Sequence, residues 1–276
     1  MTQLVRTVIK QELTVMMRSK WIISFALLFA LLSFMMITFG GTDEGSSFTG
    51  FNRLTASMLN SSLFLVPLLS LMTGAVSLSG EKEDGHLKLL LTYPVSIGSI
   101  LTGKYIGMLI GVGSAVCFGF GISGVFLFQT DSFMPSVYFL FFSFTLLLAS
   151  MFLAVGFLIG MISKSRLQAL GLSLFAWAGF VLFYEFIVMG LLTIVQQQAA
   201  ISLLTVSVLL NPAELIRVWT IVAMNSASIF GPHLYDLTVW SESTVGQLLF
   251  ILSVIAWIIL PLACSYLILN RGVQYE

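Results

Sequence analysis

The segment Gly98-Ser-Ile-Leu-Thr-Gly103-Lys104-Tyr105 comes within one residue of a phosphate-binding loop. Such a loop needs Ser or Thr after its lysine to hold magnesium, and a buried strand before it. Tyr105 fails the first requirement and a helical surrounding fails the second, so the chain is not expected to bind ATP. Gly119-Phe-Gly121-Ile-Ser-Gly124 matches the dinucleotide fingerprint letter by letter. It lies inside a long apolar run, however, where glycines serve helix packing rather than a strand-to-helix turn. Cys117 and Cys264 fall far apart in apolar runs and read as small core residues, with no disulfide framework. His86 and His233 have no Cys or His company, which argues against a zinc site on either. The thirteen Met are scattered as gap-fillers rather than as a copper-conducting ladder. No triad or paired carboxylates appear, so catalysis has no visible home and no cofactor or resident metal is expected.

The densest charge cluster has a mechanical logic instead. It reads Ser79-Gly-Glu-Lys-Glu-Asp-Gly-His-Leu-Lys88 and continues Leu-Leu-Leu-Thr-Tyr-Pro94, with Gly103-Lys104 opening the next apolar run. Asp84 is placed to cap a short helix from Gly85 to about Thr92, with Glu81 and Glu83 adding negative charge near its positive end. Leu87, Leu90 and Leu91 form one apolar face, His86 and Lys88 stay polar, and Pro94 stops the helix. A two-turn amphipathic helix offers a knob for another protein's groove. An ordinary solvated loop would not explain why the leucines follow the charges.

The elements that hold this island are lipid-sized. With 58% hydrophobic and 9% charged residues, the chain is too apolar for a soluble globule. A bilayer core about 30 Å thick needs roughly 20 apolar residues per helix. Six stretches qualify, at about 21–39, 59–79, 99–128, 137–163, 167–195 and 246–269. The expected fold is an all-α integral membrane protein of six transmembrane helices, a single permease domain over residues 1–276. The first run is too long for a signal-peptide core and lacks a following cleavage site, so it reads as a span.

Lys and Arg concentrate in cytoplasmic loops. With both termini inside, Arg6, Lys10, Arg18, Lys20, Lys82, Lys88, Lys104, Lys164, Arg166 and Arg271 fall on the inner side, and only Arg53 and Arg217 outside. The neutral formal charge argues against nucleic acid as a partner. Within 1–20, Val5, Val8, Ile9, Leu13, Met16 and Met17 recur at helical spacing opposite Arg6, Lys10, Thr14 and Arg18. That pattern predicts an amphipathic helix in the headgroup layer, either a plain anchor or an elbow that transmits motion.

Small residues at Gly103, Gly107, Gly111, Ala115 and Gly119, and again at Gly156 and Gly160, permit close helix approach within the bundle or across a dimer. Glu185 is the acid placed well inside a span. It is either a pathway residue, a protonated and hydrogen-bonded helix contact, or a sign that the span ends earlier than drawn. The first outer loop, 40–57, carries Asp43 and Glu44, and a turn near Asp131 to Pro135 joins the third and fourth spans. Residues 196–245 are predicted as an extracytoplasmic region. There Asn211 caps a helix with Pro212 at its first position and Glu214 close behind. Leu215, Val218, Trp219 and Val222 give it an apolar face for the outer surface or a partner, with Asn211, Pro212, Glu214, Arg217 and Trp219 as the contact set.

The run Glu81-Lys-Glu-Asp-Gly-His-Leu-Lys-Leu-Leu-Leu-Thr-Tyr-Pro94, followed by Gly103-Lys104, resembles the signature of ABC exporter permeases of the type-2 class. The resemblance covers essentially the whole chain, with His86 where the family more often has Thr. It implies that 80–98 is a cytoplasmic coupling region docking on a separate cytosolic ATPase, two permeases pairing with two ATPases. Glu81, Glu83, Asp84, Gly85, Leu87, Leu90, Leu91, Pro94 and Lys104 would then be the coupling residues, and ATP hydrolysis would belong to the other subunit. Leu89 to Pro94 together with Leu209-Leu-Asn-Pro-Ala-Glu-Leu-Ile-Arg217 is similar to a narrower group, the permeases of nitrous oxide reductase maturation. That likeness implies work with an ATPase and an extracytoplasmic NosD-like protein in assembling a copper–sulfur centre. Export of a drug, peptide or lipid, or movement of an outer partner without cargo, stands beside it.

Overall fold

In hydrocarbon every backbone N–H and C=O must be satisfied internally, which leaves helices as the way for this composition to fold. The computed structural model describes residues 2–39, 53–92, 96–128, 135–195, 197–224 and 235–274, and all regular structure among them is helical. The helices are α1 (Thr2–Met17), α2 (Lys20–Phe39), α3 (Arg53–Glu83), α4 (His86–Leu91), α5 (Ile97–Phe128) and α6 (Pro135–Ile162). They continue with α7 (Arg166–Trp177), a π-helical turn (Ala178–Phe183), α8 (Tyr184–Ile194), α9 (Gln197–Leu210), α10 (Pro212–Ala223), α11 (Tyr235–Glu242) and α12 (Thr244–Gln274). Pro94, Asp43, Glu44, Asp131 and His233 lie outside the described residues.

Among the described residues, five helices are long and apolar enough to cross a membrane: Ser57–Glu83, Ile97–Ile122, Pro135–Ile162, Arg166–Ile194 and Thr244–Arg271. Two bent pairs qualify only jointly, α1 with α2 at 63° and α9 with α10 at 111°, giving up to seven. The expected first span falls in α2. The expected fifth is α7, the π turn and α8 run together.

Lipid tails are as apolar as leucine, so helices associate through close packing rather than a hydrophobic drive. The α3–α6 contact shows how. A Cβ at Gly156 would lie 2.6 Å from the Leu71 carbonyl oxygen, and one at Gly74 would lie 2.9 Å from that of Leu153. The two backbones touch, with Leu71, Leu78, Phe152, Leu153 and Phe157 fully enclosed around them. The small-residue row of α5 is spent inside the chain, not across a dimer. Val8 covers Gly103, Glu12 covers Gly107, Met16 covers Gly111, and Phe29 of α2 lies on Gly119. Cys117 and Cys264 prove to be on the outer surface of the bundle rather than in its core, because the core-facing rows of α5 and α12 pass through other residues such as Val116, Phe120, Val254 and Leu269.

Candidate functional site

The charged island is not a loop. α3 runs on through Gly80-Glu81-Lys82-Glu83 and closes by hydrogen bonds from Asp84 N to Gly80 O (2.9 Å) and from Gly85 N to Lys82 O (3.2 Å). Gly85 adopts φ 76°, the left-handed conformation that ends a helix and is cheap only for glycine. The expectation that Asp84 caps α4 is corrected: Gly85 occupies the cap position and no side chain bonds there. Asp84 instead pairs with the Arg166 guanidinium, which also lies over Gly80.

Each of the four charges from Glu81 to Asp84 has a partner within the chain. Glu83 accepts from Arg166 N (2.9 Å), tying the end of α3 to the start of α7, whose first turn is capped by Ser165. Lys82 Nζ donates to Met161 O (2.5 Å) and Ser163 O (2.9 Å). A cation there satisfies the open carbonyls and negative dipole end of α6. Glu81 pairs with Lys104 Nζ at 2.5 Å, and Lys104 pairs also with Glu12 of α1. Lys104 and Glu12 are 2% and 4% exposed. A buried ammonium is tolerated only when paired and hydrogen-bonded, and two carboxylates supply that here. Glu81 and Lys104, expected to face an outside partner, are therefore internal ties.

Glu12 was not singled out by sequence reading. The signal was present: Val8, Glu12 and Met16 stand four residues apart, so an acid lies in the apolar row of α1.

α4 stands on this hub. Leu87 is 3% exposed and enters the core, so it anchors the helix rather than offering itself to a groove, while Leu90 is half-buried and the side chain of Leu91 is not described. Leu89 is the residue that projects, at 63% exposure, flanked by exposed His86 and Thr92. So short a helix keeps its place by rooting one face in the core, which is why the leucines divide this way.

A second polar cluster lies at the far end of α7–α8. Glu185 is nineteen residues beyond Arg166, about 28 Å along a helix at 1.5 Å per residue, close to the full depth of a bilayer core. It pairs with Arg217 of α10, which also holds Glu214 at 3.0 Å. Two further bonds zip these elements: Asn211 Nδ2 to Phe180 O in the π turn (2.8 Å) and Tyr184 Oη to Ser207 O (2.7 Å). The predicted cap is present, Asn211 Oδ1 accepting from Ala213 N at 2.9 Å with Pro212 first in the helix. Its expected exposure is corrected. Asn211, Pro212, Leu215, Val218 and Val222 are buried, because α10 folds back at 111° and packs on α6, α3 and α12.

Trp219 donates to Gln247 of α12 (2.8 Å) and stacks near Phe144 and Phe250. The open carbonyl of Leu209 at the break accepts from Ser253 (2.9 Å) and Trp257 (3.2 Å). A broken helix survives at this depth because neighbours satisfy its backbone. Replacing Asn211 with alanine removes a cap and the bond to Phe180 O. The expected loss is about 2 kcal/mol, read as a lower unfolding midpoint of the purified protein.

No group of three or more His, Cys, Asp or Glu capable of holding a metal occurs among the described residues. The described helices form a polytopic bundle with a short helix, α4, standing at one end beside the ion-paired close of α3. Residues 6–272 match the model of the ABC-2 family transporter protein, and the chain belongs to that family. It is similar to "Probable ABC transporter permease protein NosY" of Pseudomonas aeruginosa, 31% identical over 241 residues, 84% of this chain and 88% of that one. The protein of the same name from Stutzerimonas stutzeri is 29% identical over 276 residues, 95% of this chain and 96% of that one.

Proposed function

We propose that this chain is the membrane half of an ATP-driven exporter of the NosY kind, worked from the cytosol through α4 by a separate ATPase subunit. The observation that carries the reading is the division of α4. Leu87 is rooted in the core and Leu89 is presented outward, on a turn whose acids Glu81, Glu83 and Asp84 are held by Lys104 of α5 and Arg166 of α7. Force applied at Leu89 reaches the spans through Glu81–Lys104–Glu12 and through Arg166. The gathering of Lys82, Lys104, Lys164 and Arg166 at this end supports a cytoplasmic orientation of the hub, with two copies of the chain and two ATPases in the cytoplasmic membrane. ATP hydrolysis then belongs to the partner.

Leu89→Arg is expected to leave the permease folded and to abolish capture of the cognate ATPase. Retention of the ATPase by the arginine variant would sink the coupling reading.

The similarity to NosY supports a narrower role with an extracytoplasmic NosD-like protein in assembling the copper–sulfur centre of nitrous oxide reductase. Deleting the gene and measuring copper loading of that reductase tests it; normal loading returns the choice to a drug, peptide or lipid exporter. A second reading, motion delivered outward without cargo, is supported by the bonds that zip the π turn and α8 to α9 and α10. Those bonds give the outer elements a rigid connection to a spanning helix.

A further inference from the structure

We infer that Glu12 is a positioning residue for the coupling turn, fixing through Lys104 where the α3–α4 corner sits against α1. The inference deepens the coupling reading and rests on it for its purpose, though not for its geometry. Glu12 occupies the row of α1 that faces α5, between Val8 and Met16, while Arg6, Lys10 and Thr14 take the exposed side. An acid in that row is costly unless it has a specific partner, and its partner is Lys104.

Gly107 makes the contact reachable. A Cβ there would stand 2.6 Å from Glu12 Cβ and 3.1 Å from Ile9 O, so any larger residue would push α1 away. Lys104 divides its ammonium between Glu12 and Glu81, and Glu81 Oε2 is buried with no hydrogen-bond partner among the described residues. Two acids on different helices thus share one cation on a third.

The consequence is mechanical. α1 is set off from α2 by the 63° bend and lies along α5, so its position is decided by that contact rather than by the span that follows it. Glu81 stands four residues before Gly85, where the chain turns into α4. If α1 withdraws, Lys104 passes wholly to Glu81; if the α3–α4 corner is displaced, Lys104 passes to Glu12. The triplet therefore holds the amino-terminal helix and the docking turn in register, and it offers two discrete arrangements of the kind that carry coupling between sites.

The test uses the full-length chain in lipid nanodiscs, with Cys117→Ser and Cys264→Ser, and spin labels at Arg6→Cys and His86→Cys. A control pair at Phe139→Cys and Leu248→Cys reads the opposite end of the bundle. Glu12→Gln is expected to broaden the 6–86 distance distribution and leave the 139–248 distribution unchanged, and Glu12→Asp is expected to recover most of the narrow distribution. An unchanged 6–86 distribution in monodisperse Glu12→Gln protein overturns the proposal. Broadening of both pairs overturns it too, since that is general loosening. No ATPase is present in this measurement, so its failure leaves the docking reading standing, and failed ATPase capture leaves this result standing.

Discussion

Lys104→Met is expected to cost the folded protein about 3–5 kcal/mol, read as a much lower thermal unfolding midpoint. The side chain of Lys104 is 3% exposed and that of Glu12 5%, and Glu81 shares the same ammonium. Removing the cation leaves the buried Glu12 carboxylate and the partly buried Glu81 carboxylate without their shared partner, and methionine replaces the volume but not the charge. The triple variant Lys104→Met, Glu12→Gln, Glu81→Gln removes the uncompensated charge as well. It is expected to regain most of the loss, because a buried ion network and a packed neutral one of equal volume are often close in stability. Thermal unfolding midpoints of the purified parent, single and triple variants decide the matter. A single variant as stable as the parent would show that the triplet carries no stability.

Gly156→Leu is expected to be nearly as damaging for a different reason. Its Cβ would meet the Leu71 carbonyl oxygen at 2.6 Å and Leu71 Cα at 3.1 Å, both backbone atoms that cannot rotate aside. α3 and α6 would have to separate, losing the dispersion contacts that hold helices together in lipid. The expected cost is about 3 kcal/mol or more. Gly121 is the control on a neighbouring span. Nothing lies within 4 Å of its Cβ position, so Gly121→Leu is expected to change stability by no more than about 0.5 kcal/mol. Equal unfolding midpoints for the two leucine variants would remove the close-approach argument.

The island teaches how far local pattern reaches. Glu81 to Asp84, then Gly85, then leucines ending near Pro94 was enough to locate a short amphipathic helix, and α4 starts one residue after Gly85. What failed was the assignment of the acids. Read locally, Asp84 precedes a helix and ought to cap it. In the folded chain Arg166, eighty-two positions away, takes that carboxylate. Likewise an i, i+4 row could mark Glu12 as anomalous but could not supply Lys104, ninety-two positions on. Ion-pair partners at such separations are set by which helices pack together, and periodicity within one helix carries no information about that.

The region around Asn211 failed in the opposite way. Its capping chemistry was read correctly from Asn-Pro-Ala-Glu, since a cap is a contact within four residues. Its location was not, because the same apolar face of Leu215, Val218 and Val222 suits an outer surface and a bundle interior equally.

Composition and hydropathy alone determined that this chain lives in a bilayer as helices, since continuous apolar runs of about 20 residues fit a spanning helix and not the alternating strands of a barrel, and glycine spacing determined which helices approach closely. Only the tertiary structure decided which neighbours those glycines admit: α1 and α2 onto α5, and α3 onto α6. It also decided that a broken helix folds back into the bundle, and that Leu89 rather than Leu87 faces outward. Local sequence sets the period and the caps of a helix. Its azimuth is set by packing against partners far away in the chain, and a side chain's role follows from that azimuth.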